Sequence, residues 1–294
     1  MEPIRVVVRR GELVEAVHRY HAVAVQDGKQ IAAAGDTELV TFLRSAAKPF
    51  QAFELVRARD DLSETDVAIA SASHRAEPAQ IEAVRALLEK AEATEDDLEC
   101  GPQEGRPPGR IYHNCSGKHA GMLAACAARG WQRRGYRLPE HPIERAHHAN
   151  VAAATELDPG DIPTAVDGCG VVTWGMALER AARMFSNLER FEEGARIAAV
   201  MRAHPELIGG EGSDDTALMQ LEGSLAAKGG AEGLLCAAGP DGLGVAIKAE
   251  DGTFRGLRPA LASFLEPLGF ELPGFGSVPV LNSRAEQVGE IVRS

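Results

Sequence analysis

Over the first 43 residues, apolar positions alternate with polar ones or gather in short β-branched runs. "IRVVV", "ELVEAVH", "HAVAV", "QIAAA" and "ELVTFL" predict a strand meander, because a period of two places every second side chain on one face. Gly-bearing turns separate the runs, and Asp27-Gly28 is a hairpin signal. The pattern changes at Ser45. "SAAKPFQAFELVRARDD" predicts a helix beginning near Ser45, since Pro49 is tolerated only in a first turn. "DVAIASASH" predicts a buried strand that runs out into a polar turn at Ser73-His74. Helical spacing follows at 78–93, 117–129, 142–156, 173–186 and 190–203, with loops such as "CGPQEGRPPGR" and "GGEGSDD" between. "EGLLCAAGPDGLGVAIKAEDGTFRG" returns to strands joined by tight turns, and "PALASFLEPLG" predicts one more helix. Strands at both ends with helices between predict an α+β fold in which the terminal strands share one sheet. No repeat, low-complexity tract or linker divides residues 1–294, so a single domain is expected.

Composition narrows the function more than the fold. The 294 residues are 45% hydrophobic and 25% charged, which is the balance of a soluble globular chain with length to bury a core. A net charge of −12 and the absence of a basic run argue against nucleic acid as a partner. No apolar stretch approaches the ~20 residues of a membrane span. "MEPIRVVVRRGELVEAVH" carries charges inside its apolar run and does not read as a signal peptide. The five cysteines are scattered and odd in number, so a reducing cytoplasm is expected, with metal binding or burial as their uses.

Candidate chemistry lies in a few stretches. Ser45 and Lys48 in "LRSAAKPFQ" are three apart and can meet on one helical turn. A serine needs a base to become a nucleophile, and a lysine serves only when burial or nearby positive charge, such as Arg44, lowers its pKa. Backbone N–H groups at the helix start could hold a developing oxyanion. The plainer reading makes Ser45 an N-cap and Lys48 a surface residue. Ser73 and His74 in "ASASHRAEP" offer an acid/base or substrate contact, against a simple capped turn. "YHNCSGKHAGML" sets His113, Cys115 and His119 within seven residues, a spacing that suits zinc, against a buried cysteine at a helix start. Asp167 and Cys169 occupy a Gly-bracketed turn where backbone can approach a ligand. Cys126 and Cys236 lie in apolar surroundings and read as core. Lys248 sits in the apolar strand "GVAIKAEDG", which requires a partner for its charge or an edge position.

Taken in order, "RSAAKPFQA", "ASASH", "HNCSGKHAGML", "DGCGV" and "AIKAEDG" resemble the rhizobial-type (thermolabile, type II) L-asparaginase family, from about Val14 to Gly252. The resemblance implies a serine β-lactamase-like fold, with a mixed, largely antiparallel sheet of N- and C-terminal strands and helices packed on it. It implies a cytoplasmic homodimer that hydrolyses L-asparagine to L-aspartate and ammonia. Two Ser–Lys pairs are implied, Ser45 with Lys48 and Ser73 with Lys248. Arg44, His74, His119 and Asp167 are the implied substrate contacts. Also implied is one zinc per chain on Cys115, Lys118 and Cys169, beside the pocket and not activating the nucleophile. That set replaces His113 by Lys118, which binds a metal only when neutral. The rivals are an amidase for another small amide such as L-glutamine, and a catalytically idle zinc-binding protein on the same fold. "CGPQEGRPPGRIYHNC" is shorter than the corresponding family segment, and "GGEGSDDTALM" fits the pattern loosely.

Overall fold

The alternating N-terminal runs do form strands, and the chain returns to them at its far end. In the computed structural model, which describes residues 1–294, the first four strands are β1 (Ile4–Arg10), β2 (Leu13–Gln26), β3 (Lys29–Ala34) and β4 (Val40–Phe42). After the first block of helices come β5 (Thr164–Val166) and β6 (Val172–Ala177). The C-terminal part adds β7 (Ala226–Gly229), β8 (Leu234–Gly239), β9 (Leu243–Ala249), β10 (Ser277–Leu281) and β11 (Gln287–Arg293).

The main sheet runs β10-β11-β1-β2-β9-β8-β7, and β3 also pairs with β2. Every pairing is antiparallel. The first and last strands are therefore neighbours, as the sequence pattern predicts, with Val6 opposite Arg293. β2 is long enough to pair with β1 along its first half and with β3 along its second. Its hairpin to β3 turns at Asp27 and Gly28, with φ of 47° and 73°. Two successive positive φ values give the turn that matches strand twist. A second, three-stranded sheet runs β4-β6-β5.

The helix Leu178–Ser186 lies across β9 so closely that a Cβ on Gly244 would sit 2.0 Å from the Ala182 carbonyl oxygen. A glycine is required there. The helix Leu257–Leu265 packs near β1 and β11. One hydrophobic cluster of 84 buried residues joins strands and helices, so the two sheets and the helical block share a core.

Two sequence expectations fail. The run expected as a strand before Ser73 is the helix Glu64–Ala70. Ser63 accepts from the Asp66 N–H while the Asp66 carboxylate accepts from the Ser63 N–H, and this reciprocal cap starts a helix. The helix expected over 173–186 divides into β6 and the helix Leu178–Ser186, because β6 opens on the β-branched Val172 and Thr173 and is buried from Val172 to Met176.

Candidate active site

Ser45 is delivered by an unusual piece of backbone. Beyond β4, the Leu43 N–H donates to the Trp174 carbonyl at 2.9 Å. Arg44 then takes φ of +50°, a left-handed conformation that a residue with a Cβ adopts only when its surroundings hold it. The holding contacts are a bond from the Arg44 N–H to Thr173 Oγ1 at 3.0 Å and an ion pair from its guanidinium to Asp167. A single 3-10 turn, Arg44–Ala47, follows and leads into the helix Lys48–Gln51, with Pro49 in its first turn as expected. Ser45 is thereby exposed to a cavity of about 320 Å³, whose walls include Asp167, Cys115, Cys169 and Asn114. The N–H groups of Ser45 and of Ala231, both on this cavity, bond no carbonyl of the chain.

Lys48, three residues after Ser45, is fully buried. Its Nζ donates to the Ala72 carbonyl at 2.5 Å and to Ser73 Oγ at 2.9 Å, and it makes no hydrogen bond to Ser45. Burial drives its pKa below the ordinary lysine value. The Cys115 sulfur opposes that shift, while the charges of Lys228 and Lys118 add to it. This is the condition the sequence demands of a lysine base.

Ser73 stands on the wall between two cavities. It lines the one that Ser45 faces and also a second of about 340 Å³; Asn114 and Gly230 are shared in the same way. Lys248 does not join it. Its Nζ donates to the carbonyl of Ala249, its charged neighbours are Glu232 and Asp251, and it lines neither cavity. Nor is it an edge residue, since β9 runs between β2 and β8. The lysine that shares a cavity with Ser73 is Lys228, at the end of β7. It is fully buried, and its Nζ donates to Asp215 Oδ2 at 3.1 Å and to the Gly229 carbonyl at 3.0 Å. Burial alone would raise the Asp215 pKa, but Lys228, the Gly229 N–H and Ser213 outweigh it and bring it to about 2. The carboxylate is therefore a fixed anion that anchors the Lys228 ammonium.

The remaining predicted contacts separate into two groups. Arg44 and Asp167 both face the Ser45 cavity. Burial raises the Asp167 pKa, yet Lys118, Arg44 and the Gly168 N–H together hold it below the usual carboxylate value. His74 borders the second cavity, but both its ring nitrogens are engaged internally. Nδ1 accepts from the Ala76 N–H at 3.1 Å and Nε2 lies 2.8 Å from Ser116 Oγ. Burial brings its pKa down to about 3, so the ring is neutral and fixes the Ser73 turn against the Ser116 helix. His119 lines neither cavity. It is fully buried, with Nδ1 2.7 Å from Tyr136 Oη and its ring against Cys169.

The sulfur cluster forms at the start of the helix Ser116–Arg129. Gly117 lets this helix touch the helix Glu64–Ala70, since a Cβ there would sit 2.2 Å from the Ile69 carbonyl oxygen. That contact sets Cys115 and Lys118 against Cys169, whose Sγ accepts from Lys118 Nζ at 3.1 Å. The two cysteine side chains interact directly. Interaction with Cys169 keeps the Cys115 thiol well below its ordinary pKa, against burial, and the Cys169 thiol is raised in turn. Burial opposes the charge on Lys118, but the two sulfurs and Asp167 raise its pKa overall. No group of three His, Cys, Asp or Glu side chains is placed to hold a metal. A metal here would need Lys118 as its third donor. Two soft sulfurs and an amine, with Lys118 Nζ 3.1 Å from Cys169 Sγ, are donors that suit zinc. His113, the other histidine of the motif, uses Nδ1 to accept the Cys115 N–H at 3.0 Å.

Several cavity residues were not singled out from sequence. Lys228 and Asp215 are the chief ones. The signal for Lys228 was "KGG", a lysine followed by the two glycines that let backbone approach a ligand. The loop "CGPQEGRPPGR" also contributes, with Gln103 Oε1 accepting the Asn114 N–H at 2.8 Å and Arg106 at the mouth of the second cavity. Cys126 and Cys236 are buried core thiols as expected, and all five cysteines are free.

The family described as L-asparaginase II matches residues 6–293. No curated protein matches the sequence significantly. Among solved structures, Mglu in its native form aligns with a TM-score of 0.49 at 14% identity, over 87% of this chain and 66% of that one. Mglu in its glutamate form aligns with a TM-score of 0.49 at 16% identity, over 93% of this chain and 67% of that one. The chain thus spans about two thirds of Mglu. A beta-lactamase from Mycobacterium bovis aligns with a TM-score of 0.35 at 13% identity, over 83% of this chain and 94% of that one.

Proposed function

Since the chain belongs to the L-asparaginase II family, we propose that it hydrolyses the side-chain amide of L-asparagine to L-aspartate and ammonia through an ester on Ser45. One observation carries this reading: a fully buried lysine, Lys48, with a depressed pKa, follows three residues after a serine that opens onto a cavity, and its Nζ donates to a second serine on that cavity's wall. Ser45 Oγ attacks the amide carbon, and the neutral Lys48 amine takes its proton. Ser73, already bonded to Lys48, passes that proton to the departing nitrogen. Lys228, held by Asp215, takes the supporting place beside Ser73 that the sequence resemblance implies for Lys248. The free N–H groups of Ser45 and Ala231 receive the oxyanion, worth about 3–4 kcal/mol per well-placed donor. Water then cleaves the aspartyl ester.

Arg44 and Asp167 form the polar wall that orients the substrate. We assign Cys115, Lys118 and Cys169 as the residues that would hold zinc. A bound zinc would supply a Lewis-acid anchor for a substrate oxygen at the floor of the cavity. Without it, Lys118 remains an ammonium paired with the sulfurs and keeps the same floor charged and closed. Five buried free thiols support a reducing, cytoplasmic setting, and no helix is long and apolar enough to cross a membrane.

The test is ammonia release from asparagine, glutamine and unrelated small amides, with Lys228→Met and Lys248→Met compared. Asparagine hydrolysis lost in Lys228→Met and kept in Lys248→Met supports the reading. The reverse result would restore Lys248, and no ammonia from any amide would overturn the hydrolase assignment.

A further inference from the structure

The second cavity is much too large for the product that leaves on its side. In the proposed reaction, Ser73 hands its proton to the departing nitrogen, and Ser73 opens onto both cavities. Ammonia is about the size of a water molecule, roughly 30 Å³ in the liquid. It would fill less than a tenth of the 340 Å³ beyond Ser73. That space is walled by nine polar side chains, four glycines, Leu235 and Phe254, and its charges are not balanced internally. The two carboxylates on it, Asp214 and Asp215, are each already held by a cation, Arg258 at 2.7 Å and Lys228 at 3.1 Å. Two guanidinium groups on it make no ion pair, although Arg75 is near enough to Asp214 to favour that carboxylate's charge. Arg75 donates only to the Glu211 carbonyl, and Arg106 only to the carbonyl of Arg75. In a chain of net charge −12, two unpaired arginines on one cavity wall mark a place for an anion.

We propose that this cavity binds a carboxylate-bearing leaving group, so that the enzyme also cleaves β-aspartyl dipeptides, amides in which the asparagine side-chain nitrogen carries a second amino acid. The proposal rests on the amidohydrolase reading of Ser45, Lys48 and Ser73. The step balances in the same way. The Ser45 Oγ–carbon bond forms, the carbon–nitrogen bond of the isopeptide breaks, and the Ser45 proton reaches the leaving nitrogen through Lys48 and Ser73. The released amino acid sits with its carboxylate between Arg75 and Arg106, and water returns L-aspartate from the ester.

The experiment uses the full chain and three substrates: L-asparagine, β-aspartyl-glycine and β-aspartyl-glycinamide, whose leaving group lacks the carboxylate. Release of aspartate is followed by chromatography. Expected are hydrolysis of β-aspartyl-glycine with kcat/KM at least about tenfold above that of the amide-capped compound, and a KM raised about tenfold by Arg75→Gln or Arg106→Gln. The same variants should leave kcat/KM for asparagine within about twofold of wild type. Asparagine hydrolysis without dipeptide hydrolysis would overturn the proposal. So would variants that weaken asparagine and dipeptide equally, because the arginines would then read the carboxylate that both share. If no substrate is turned over, the amidohydrolase reading fails, and the proposal falls with it.

Discussion

Replacing Asp215 by asparagine tests whether the Lys228 ammonium is held in place by charge. The pair is 3.1 Å apart with side chains 1% and 7% exposed, so neither group can recover its loss in solvent. The substituted amide would keep roughly the same shape but not the charge. It would also set an NH₂ group against one of two donors, the Thr216 N–H at 2.9 Å or the Gly229 N–H at 3.0 Å. Breaking a buried pair in this way costs about 3–5 kcal/mol. For a chain of this length a loss of that size lowers Tm by roughly 6–10 °C. The pH dependence has a definite sign. The folded Asp215 pKa of about 2 lies below the unfolded value. The stabilisation is therefore complete above about pH 4 and disappears as pH falls toward 2, where it amounts to about 2–3 kcal/mol lost. Denaturant unfolding at pH 7 should show the full gap between wild type and Asp215→Asn, and the gap should narrow at pH 3. The double variant Asp215→Asn/Lys228→Met removes both charges and should regain at least half of the lost stability, because no ion is then left unpaired. It should not regain activity. A Tm for Asp215→Asn within about 2 °C of wild type would refute the reasoning, since a buried charge would then have lost its partner at almost no cost.

Three other outcomes follow from the same geometry. Ser45→Ala and Lys48→Met should each reduce amidase turnover by about 10³-fold or more without unfolding the chain, and full activity in either would remove it from the mechanism. The kcat/KM for asparagine should rise with pH as the buried Lys48 amine loses its proton, and Lys48→Arg should stay inactive because a guanidinium keeps its proton; a flat profile between about pH 5 and 9 would contradict this. Chain purified without chelator should carry about one zinc, lost in Cys115→Ser and in Cys169→Ser and bound more weakly as pH falls, by metal analysis; retention of metal in both variants would place the site elsewhere.

The sequence revealed chemistry more readily than it revealed local geometry. The sheet of terminal strands, the Asp27-Gly28 hairpin and most helices followed from periodicity and turn residues. The helix before Ser73 was missed because "DVAIASA" is short and apolar on all sides, so its period does not distinguish helix from strand. The Ser63 and Asp66 cap was the available signal. Ser45, Lys48, Cys115, Lys118, Asp167 and Cys169 all meet around one cavity or its floor. Lys228 and Lys248 could not be separated by pattern, since each ends an apolar strand just before a turn. Only the strand order puts β7 at the sheet edge beside Ser73 and β9 inside the sheet. A pairing between distant segments leaves no trace in either segment alone.

The pairing of β1 with β11 has a consequence for how the protein is made. Val6 meets Arg293, so a strand from the first ten residues waits for one of the last ten. At a synthesis rate of about 5–20 residues per second, that wait is roughly 15–60 s. Until then β1 can pair with β2 alone, and its other edge offers a row of free N–H and C=O groups to any neighbouring chain. Sheets closed by such distant contacts also fold slowly once complete, because the loop entropy is spent before the contact forms. Any fragment that ends before β10 and β11 would keep this edge open permanently. Its expected fate is self-association through β1, even with every residue of the Ser45 cavity present.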